Sequence, residues 1–195
     1  MHTLNLSFLS GFDTFMNIQL FAEQLKNAVT IKQAEALLDL YLSHFGFRYY
    51  AFTYYSGHVK SGRKLRYHAV SDALHPWHLH YLDQGYADVD RTLEENHTMT
   101  LPLFWDVQTQ TDVAKNKREQ RIRQESIDFG IDKGLSVPVH GPNHDFVVLT
   151  LHQFRHESCL NHYELHQFEW LSAACIYYHH IRKILNLQKK YCLTV

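Results

Sequence analysis

A chain of 195 residues that is 45% hydrophobic and 20% charged can bury one sizeable core and is too apolar to stay disordered. Its net charge of -1 supplies no basic field for a nucleic acid, which argues against duplex DNA binding by these residues alone. Three cysteines, Cys159, Cys175 and Cys192, have no C-x-x-C spacing, and neither a signal-peptide pattern nor a bilayer-length apolar run is present, so the sequence reads as a soluble cytoplasmic protein without a disulfide framework or a membrane partner.

The first element expected is an amphipathic helix over Phe15 to Val29, where Phe15, Ile18, Phe21, Ala22, Leu25 and Ala28 recur at helical spacing. Thr30 with Gln33 forms a capping box for a second helix, whose apolar face runs from Ile31 to Phe45 until Gly46 stops it. Arg48 to Ser56, RYYAFTYYS, is aromatic and β-prone, a strand; Gly57 to Arg63 is a turn and Lys64 to Val70 the returning strand. From Leu74 the pattern is helical to Gln84 and breaks at Gly85, and a short helix is expected over Asp90 to His97. Thr111 or Asp112 caps a charged, solvent-facing helix that ends at Gly130 and carries only Val113, Ile122, Ile127 and Phe129 as apolar residues. Leu135 to His140 and Phe146 to Gln153 are strands joined through the turn Gly141-Pro142-Asn143. Asn161 opens a final helix from Tyr163 to about Lys189, with Leu165, Phe168, Leu171, Cys175, Tyr178 and Ile181 or Arg182 on its inner side. Hairpin-linked strands flanked by helices imply an α/β fold, an α-β-α sandwich around a central antiparallel sheet of about five strands.

The stretch from Pro76 to Trp105 concentrates aromatic side chains with polar tips. Trp77 and Tyr81 stand four apart and share one helix face, while Asp90, Thr92 and Trp105 add an anionic acceptor, a hydroxyl and a second aromatic plate. A mostly apolar cavity with a few fixed polar groups is the usual make-up of a small-molecule site. Catalysis lacks an anchor, because there is no G-x-S-x-G elbow and no second acid or base to complete proton transfer with Asp90. Sixteen histidines raise metal binding, yet His162-Tyr-Glu164-Leu-His166 lacks the glutamate that H-E-x-x-H places directly after its first histidine. Scattered surface histidines are the simpler reading, and neither a metal nor a cofactor is expected. The charge run from Lys115 to Arg123 reads as a solvated face, and Gly134 as a turn into the following strand.

Taken in order, W-x3-Y at Trp77 and Tyr81, Asp90, L-P-L-F-W ending at Trp105, F-G-x-x-x-G from Phe129 to Gly134 and V-P-V-H-G-P from Val137 to Pro142 resemble the autoinducer-binding domain of LuxR-type quorum-sensing regulators. The resemblance implies an N-acyl-homoserine lactone held between the sheet and one helix layer. It implies that Trp77 donates to the lactone carbonyl, Asp90 accepts from the amide N–H, Tyr81 and Trp105 pack on the acyl amide and lactone ring, and Thr150 reaches the acyl oxygens. Thr92 is expected beside Asp90, and the acyl tail near Phe52 and Tyr54. Two positions depart from the family pattern: Ala73 and Leu74 stand where the family has Tyr-Pro, which removes a carbonyl-binding phenol, and Arg91 stands where it has proline, which places a cation next to Asp90.

The implied assignment is a non-enzymatic sensor of acyl-homoserine lactone over residues 1–190, with 191–195 a linker or the start of a helix-turn-helix module through which alone DNA would be bound, and a homodimer as the working form. Two rivals come from other classes: a natural sensor-only protein that sequesters signal or forms inactive heterodimers with full-length regulators, and an enzyme acting on lactones.

Overall fold

The computed structural model describes residues 16–57, 62, 64–88, 90–112 and 114–192. Phe15, most of the expected turn over 57–63, Val113 and residues 193–195 lie outside this set, as does the side chain of Arg91. The sheet is antiparallel throughout, in the order β2-β1-β5-β4-β3. It is built from the hairpin β1 (Tyr49–Ser56) to β2 (Lys64–Val70) and the hairpin β4 (Ile131–His140) to β5 (Phe146–Phe154), with β1 beside β5 at the centre and β3 (Leu103–Asp106) along one edge.

Side chains alternate across a strand, so each residue's parity decides which helix layer it meets. Tyr50, Phe52 and Tyr54 of β1, with Leu135, Val137, Val147 and Leu149 of β4 and β5, turn to one face. There α1 (Ile18–Asn27), α2 (Ile31–His44) and α7 (Tyr163–Cys192) bury them in the larger core. The other face carries Ala51, Thr53, Ser136, Thr150 and His152 and is covered more loosely by shorter helices: α3 (His75–Asp83), α4 (Arg91–Asn96), α5 (Val107–Asp112) and α6 (Lys117–Asp128). The result is the expected α-β-α sandwich.

Local chemistry accounts for the helix ends. Thr30 Oγ1 accepts from Gln33 N at 3.2 Å while Gln33 Oε1 accepts from Thr30 N at 3.1 Å, the reciprocal box the sequence implied. Gly46 then adopts φ +84°, the left-handed conformation that ends α2 without a Cβ penalty. Asn116, not Thr111 or Asp112, caps α6, its side chain accepting from Arg118 N and Glu119 N; Thr111 and Asp112 instead finish the separate helix α5.

Three expectations change. β3 forms where L-P-L-F-W had no predicted strand, because Trp105 pairs opposite Gly134 and Leu103 opposite Ser136. Gly134 therefore lies inside β4, which begins at Ile131; a Cβ there would overlap the Trp105 ring, so the glycine makes room and does not turn the chain. On α7 the inner face is rotated from the predicted one: Trp170, Ala173, Ala174, Tyr177 and Ile181 are buried with Tyr178, whereas Leu165 is 77% exposed, Phe168 56% exposed and Cys175 exposed. That helix is apolar or aromatic on several sides, so its sequence period alone does not choose between neighbouring stripes.

A buried carboxylate ties the larger layer to the sheet. Asp145 Oδ2 accepts from Tyr54 OH at 2.8 Å and Tyr178 OH at 2.7 Å and pairs with Arg182 Nε at 3.1 Å. Burial, then the bond to Asp145, pushes the Tyr54 phenol up to about 12, so it remains a donor across the physiological range. Asp145→Ala strands two buried hydroxyls and a guanidinium, and loss of one partner from such a group costs about 3–5 kcal/mol, the lower end applying because Arg182 reaches solvent. Urea unfolding is expected to show a lower midpoint at unchanged m, and a shift below about 1 kcal/mol would show that Asp145 is not a structural tie.

Candidate functional site

Between the sheet and the α3 to α6 layer lies a cavity of about 220 Å3. Its floor is the sheet face of Ala51, Thr53, Thr150, Ser136 and His152, and Trp105 closes one side. Its roof comes from Leu74, Trp77 and Tyr81, and its far wall from Asp90, Thr92, Ile122 and Arg123. Leu65 and Leu82, each about half exposed, mark its open side.

Pro76 in the first turn of α3 starts the helix that presents Trp77 and Tyr81 on one face, as their spacing required. Their rings meet edge to face at 6.0 Å, with Phe129 at 5.2 Å on the other side of Trp77. Among the described residues the Trp77 indole N–H has no hydrogen-bond partner, whereas Trp105 Nε1 donates to Ser136 Oγ at 3.0 Å. The roof is clamped to α6 through Glu125, which accepts from Tyr86 OH at 2.5 Å and meets His80 Nε2 and Arg121 Nε, each at 2.6 Å. Burial works against the Glu125 charge, yet the bonds from Tyr86, His80 and Arg121 outweigh it and hold the carboxyl down to about 2.

Asp90 is the polar centre. Its Oδ2 accepts from Tyr81 OH at 3.0 Å, and its Oδ1 accepts from Thr92 N at 2.9 Å and Arg123 Nη2 at 3.1 Å. Arg123 Nη2 also donates to Thr92 Oγ1 at 2.9 Å, and Gln110 Nε2 donates to the same hydroxyl at 3.2 Å. Burial, followed by the Asp90 charge and hydrogen bond, pushes the Tyr81 phenol well above its ordinary value, so Tyr81 stays neutral and donates a hydrogen bond to Asp90.

Six of the predicted residues, Trp77, Tyr81, Asp90, Thr92, Trp105 and Thr150, line this one cavity. Phe52 and Tyr54 do not. They belong to the opposite sheet face, Phe52 packing edge to face on Tyr177 at 4.8 Å and Tyr54 bonding to Asp145, so Ala51, Thr53 and Tyr55 take the places expected of them. A shift of one residue along a strand moves a side chain to the other layer. Ala73 is exposed on the short 3-10 turn Asp72–Leu74 and does not line the cavity; Leu74 is the residue that enters it. The cation expected from Arg91 lies outside the described residues, but α6 brings one to Asp90: Arg123 is only 7% exposed, against the solvated face expected of that helix.

Residues that sequence reading passed over are Arg123, Ser136, His152 and the His68 and His78 pair. Ser136 and His152 carried a signal, being polar residues at one parity of otherwise apolar strands; Arg123 was masked by its charged neighbours. His68 Nε2 and His78 Nε2 lie 3.0 Å apart, with Thr53 Oγ1 at 2.9 Å from His68 Nδ1. Burial, and then the neighbouring His78, holds His68 down to about 4. Burial likewise holds His152 down to about 4 against the pull of Asp90, and its Nδ1 has no partner. Among the described residues no group of three or more His, Cys, Asp or Glu is arranged to hold a metal ion, and His162, at φ +85°, precedes α7 instead of sharing it with His166. No helix of the described residues is long and apolar enough to cross a membrane.

Fold and cavity define a class: an α/β/α ligand-binding domain with its site between an antiparallel sheet and one helix layer. The family model of the autoinducer binding domain matches residues 30–179, and the chain belongs to that family, the ligand-sensing domains of LuxR-type regulators. A Sinorhizobium fredii protein bearing the name HTH-type transcriptional regulator y4qH is 23% identical over 154 residues, a match spanning 77% of this chain and 46% of that protein. The N-acylhomoserine lactone dependent LuxR family factor CepR2 of Burkholderia cenocepacia has the same fold, at TM-score 0.66 and 15% identity over 87% of this chain and 96% of that structure. Escherichia coli SdiA superposes at TM-score 0.71 with 11% identity over 86% of this chain and 67% of its own, and SdiA in complex with octanoyl-rac-glycerol at 0.68 with 14% identity over 90% and 69%.

Two outcomes follow. Gly134→Ala forces Trp105 out of its place, with an overpacking cost of about 1–3 kcal/mol and a changed tryptophan emission spectrum; an unchanged spectrum and stability would mean that the ring has room to yield. His152 binds its proton with a pKa of about 4 in the folded chain and about 6.5 in the unfolded one, so the unfolded state takes up the proton first and stability falls as pH drops from about 6.5 to about 4. His152→Gln is expected to reduce that fall by up to about 3 kcal/mol in urea titrations at pH values on either side of this window, and equal slopes in parent and variant would remove His152 as its source.

Proposed function

We propose that this chain binds an N-acyl-homoserine lactone reversibly and without chemistry, as the sensor part of a transcriptional regulator. One observation carries the reading: Trp77, Tyr81, Asp90, Thr92, Trp105 and Thr150, spread over three stretches of the chain, meet around a single cavity, and the Trp77 N–H has no hydrogen-bond partner among the described residues. The lactone carbonyl accepts from that indole N–H. The amide N–H donates to Asp90 Oδ2, which holds one bond and has a lone pair to spare. The lactone ring lies against Trp105, and the acyl chain crosses the sheet at Ala51 and Thr53 toward the open side at Leu65 and Leu82. Membership of the autoinducer-binding family and the lactone dependence stated for CepR2 support the choice of ligand class. Cytoplasmic location, homodimerisation and DNA contact through a helix-turn-helix module outside these 195 residues complete the proposal.

Calorimetry with N-octanoyl-homoserine lactone, paired with thermal melts, tests it. A ligand at a hundredfold excess over its Kd raises stability by about 2.7 kcal/mol. Asp90→Asn converts a charge-assisted bond to a neutral one and is expected to weaken binding about tenfold or more, beyond any change in the apo melt. No heat and no melting shift at millimolar lactone, for short and long acyl chains alike, would sink the proposal.

A further inference from the structure

We propose that Arg123 is a specificity-determining residue of this pocket, donating to an oxygen on the acyl portion of the ligand, so that the site prefers oxygen-bearing acyl chains to plain ones. The inference rests on the lactone reading above and goes beyond it. Arg123 is a buried cation that lines the cavity, yet only one of its nitrogens is engaged: Nη2 bonds to Asp90 Oδ1 and Thr92 Oγ1. Its Nε and Nη1 make no hydrogen bond among the described residues, which leaves three N–H donors unengaged there on a side chain that lines the cavity. Here a single nitrogen bridges Asp90 and Thr92, and the two-nitrogen fork that a guanidinium can offer a planar oxygen group stays open.

Two further polar atoms stand unpartnered on the same cavity. His152 Nδ1 is buried in the sheet floor beside Trp105, and Asn96 Oδ1 is buried in the wall while its amide donates to Thr92 O at 2.6 Å. Unpaired buried polar atoms are rare because each costs free energy, and these two beside the open Arg123 fork mark a polar subsite that an occupant completes. Asp90 and Arg123 cancel each other's charge, which fits a neutral oxygen and disfavours a carboxylate that would add an unpaired anion. A carbonyl oxygen on the acyl chain accepts from the Arg123 fork, and from His152 when Nδ1 carries the ring proton, while a hydroxyl can besides donate to Asn96 Oδ1; a methylene there leaves the Arg123 donors unmet.

The test compares a matched ligand pair, N-(β-ketooctanoyl)-homoserine lactone and N-octanoyl-homoserine lactone, by calorimetry on the full chain. The parent is expected to prefer the keto ligand by on the order of ten- to a hundredfold, the range for a hydrogen bond to a charged group. Arg123→Lys keeps the cation beside Asp90 but loses the fork, and is expected to bring the ratio close to one, the keto ligand losing more affinity than the plain lactone. The double variant Asp90→Asn with Arg123→Met removes both charges together, which guards against misfolding from an unpaired Asp90, and is expected to show no keto preference. A purely structural Arg123 would change both affinities in parallel and leave the ratio intact. A parent ratio near one, or an undiminished ratio in a folded variant, overturns the inference while the lactone reading stands. If the parent binds neither lactone, both fall together.

Discussion

The Asp90 carboxylate is the joint on which the cavity side of this fold depends. It lies between α3 and α4, receives the Tyr81 phenol from the roof and the Arg123 guanidinium from α6, and caps the start of α4 through Thr92 N. Each of these helices is short, and none has the apolar area to hold itself against the sheet unaided. A largely buried charge needs donors on every side, and meeting that requirement fixes the spacing of the three elements. The price of this arrangement is that the same carboxylate must also answer to whatever enters the cavity.

The sheet divides two unlike layers. On one side the long helix α7, with α1 and α2, packs a continuous core of aromatic and branched side chains, stitched by polar ties such as Tyr67 OH to Tyr177 OH at 2.8 Å and Asp145 to two tyrosines. On the other a smaller apolar cluster, with Leu74, Trp77, Trp105 and Ile122 at its heart, surrounds open space. Local opening is easiest where buried apolar contacts are fewest, so the cavity layer is the part of the molecule that an occupant can stabilise most. Strands β1, β4 and β5 carry residues of both layers on alternate positions, which places any change at Thr53, Ser136 or Thr150 one residue from the main core.

Recognition and stability share residues here but use different atoms. Trp105 satisfies its N–H within the protein, on Ser136, and so offers its ring face alone; the Trp77 N–H has no partner among the described residues. Gly134 gives the Trp105 ring its place, because the strand opposite would otherwise put a Cβ into the indole. Tyr81, held neutral by burial and by Asp90, orients the carboxylate and does not compete for protons. This division leaves a small number of polar atoms without a partner among the described residues, and on the proposed reading those atoms discriminate between ligands.

Much of this was legible in the chain itself. The capping box at Thr30 and Gln33, the β1 to β2 hairpin, and the helical pairing of Trp77 with Tyr81 follow from local rules of hydrogen bonding and periodicity, and the ordered set from Trp77 to Thr150 marked the family and six residues that line one cavity. Parity was less secure: in RYYAFTYYS both strand faces are aromatic or small, so nothing local told Phe52 and Tyr54 to turn toward α7 and Ala51 and Thr53 toward the cavity. Arg123 looked like one more charge on a solvated helix, and only the docking of α6 over Asp90 made it a buried cation. His152 and Asn96 became unpaired polar atoms only once the sheet and wall closed around them. Sequence by itself determined the elements and the types of group available, because capping, pleat and helix spacing act over a few residues; tertiary structure decided which of those groups lost water and partners, because burial depends on contacts made far along the chain.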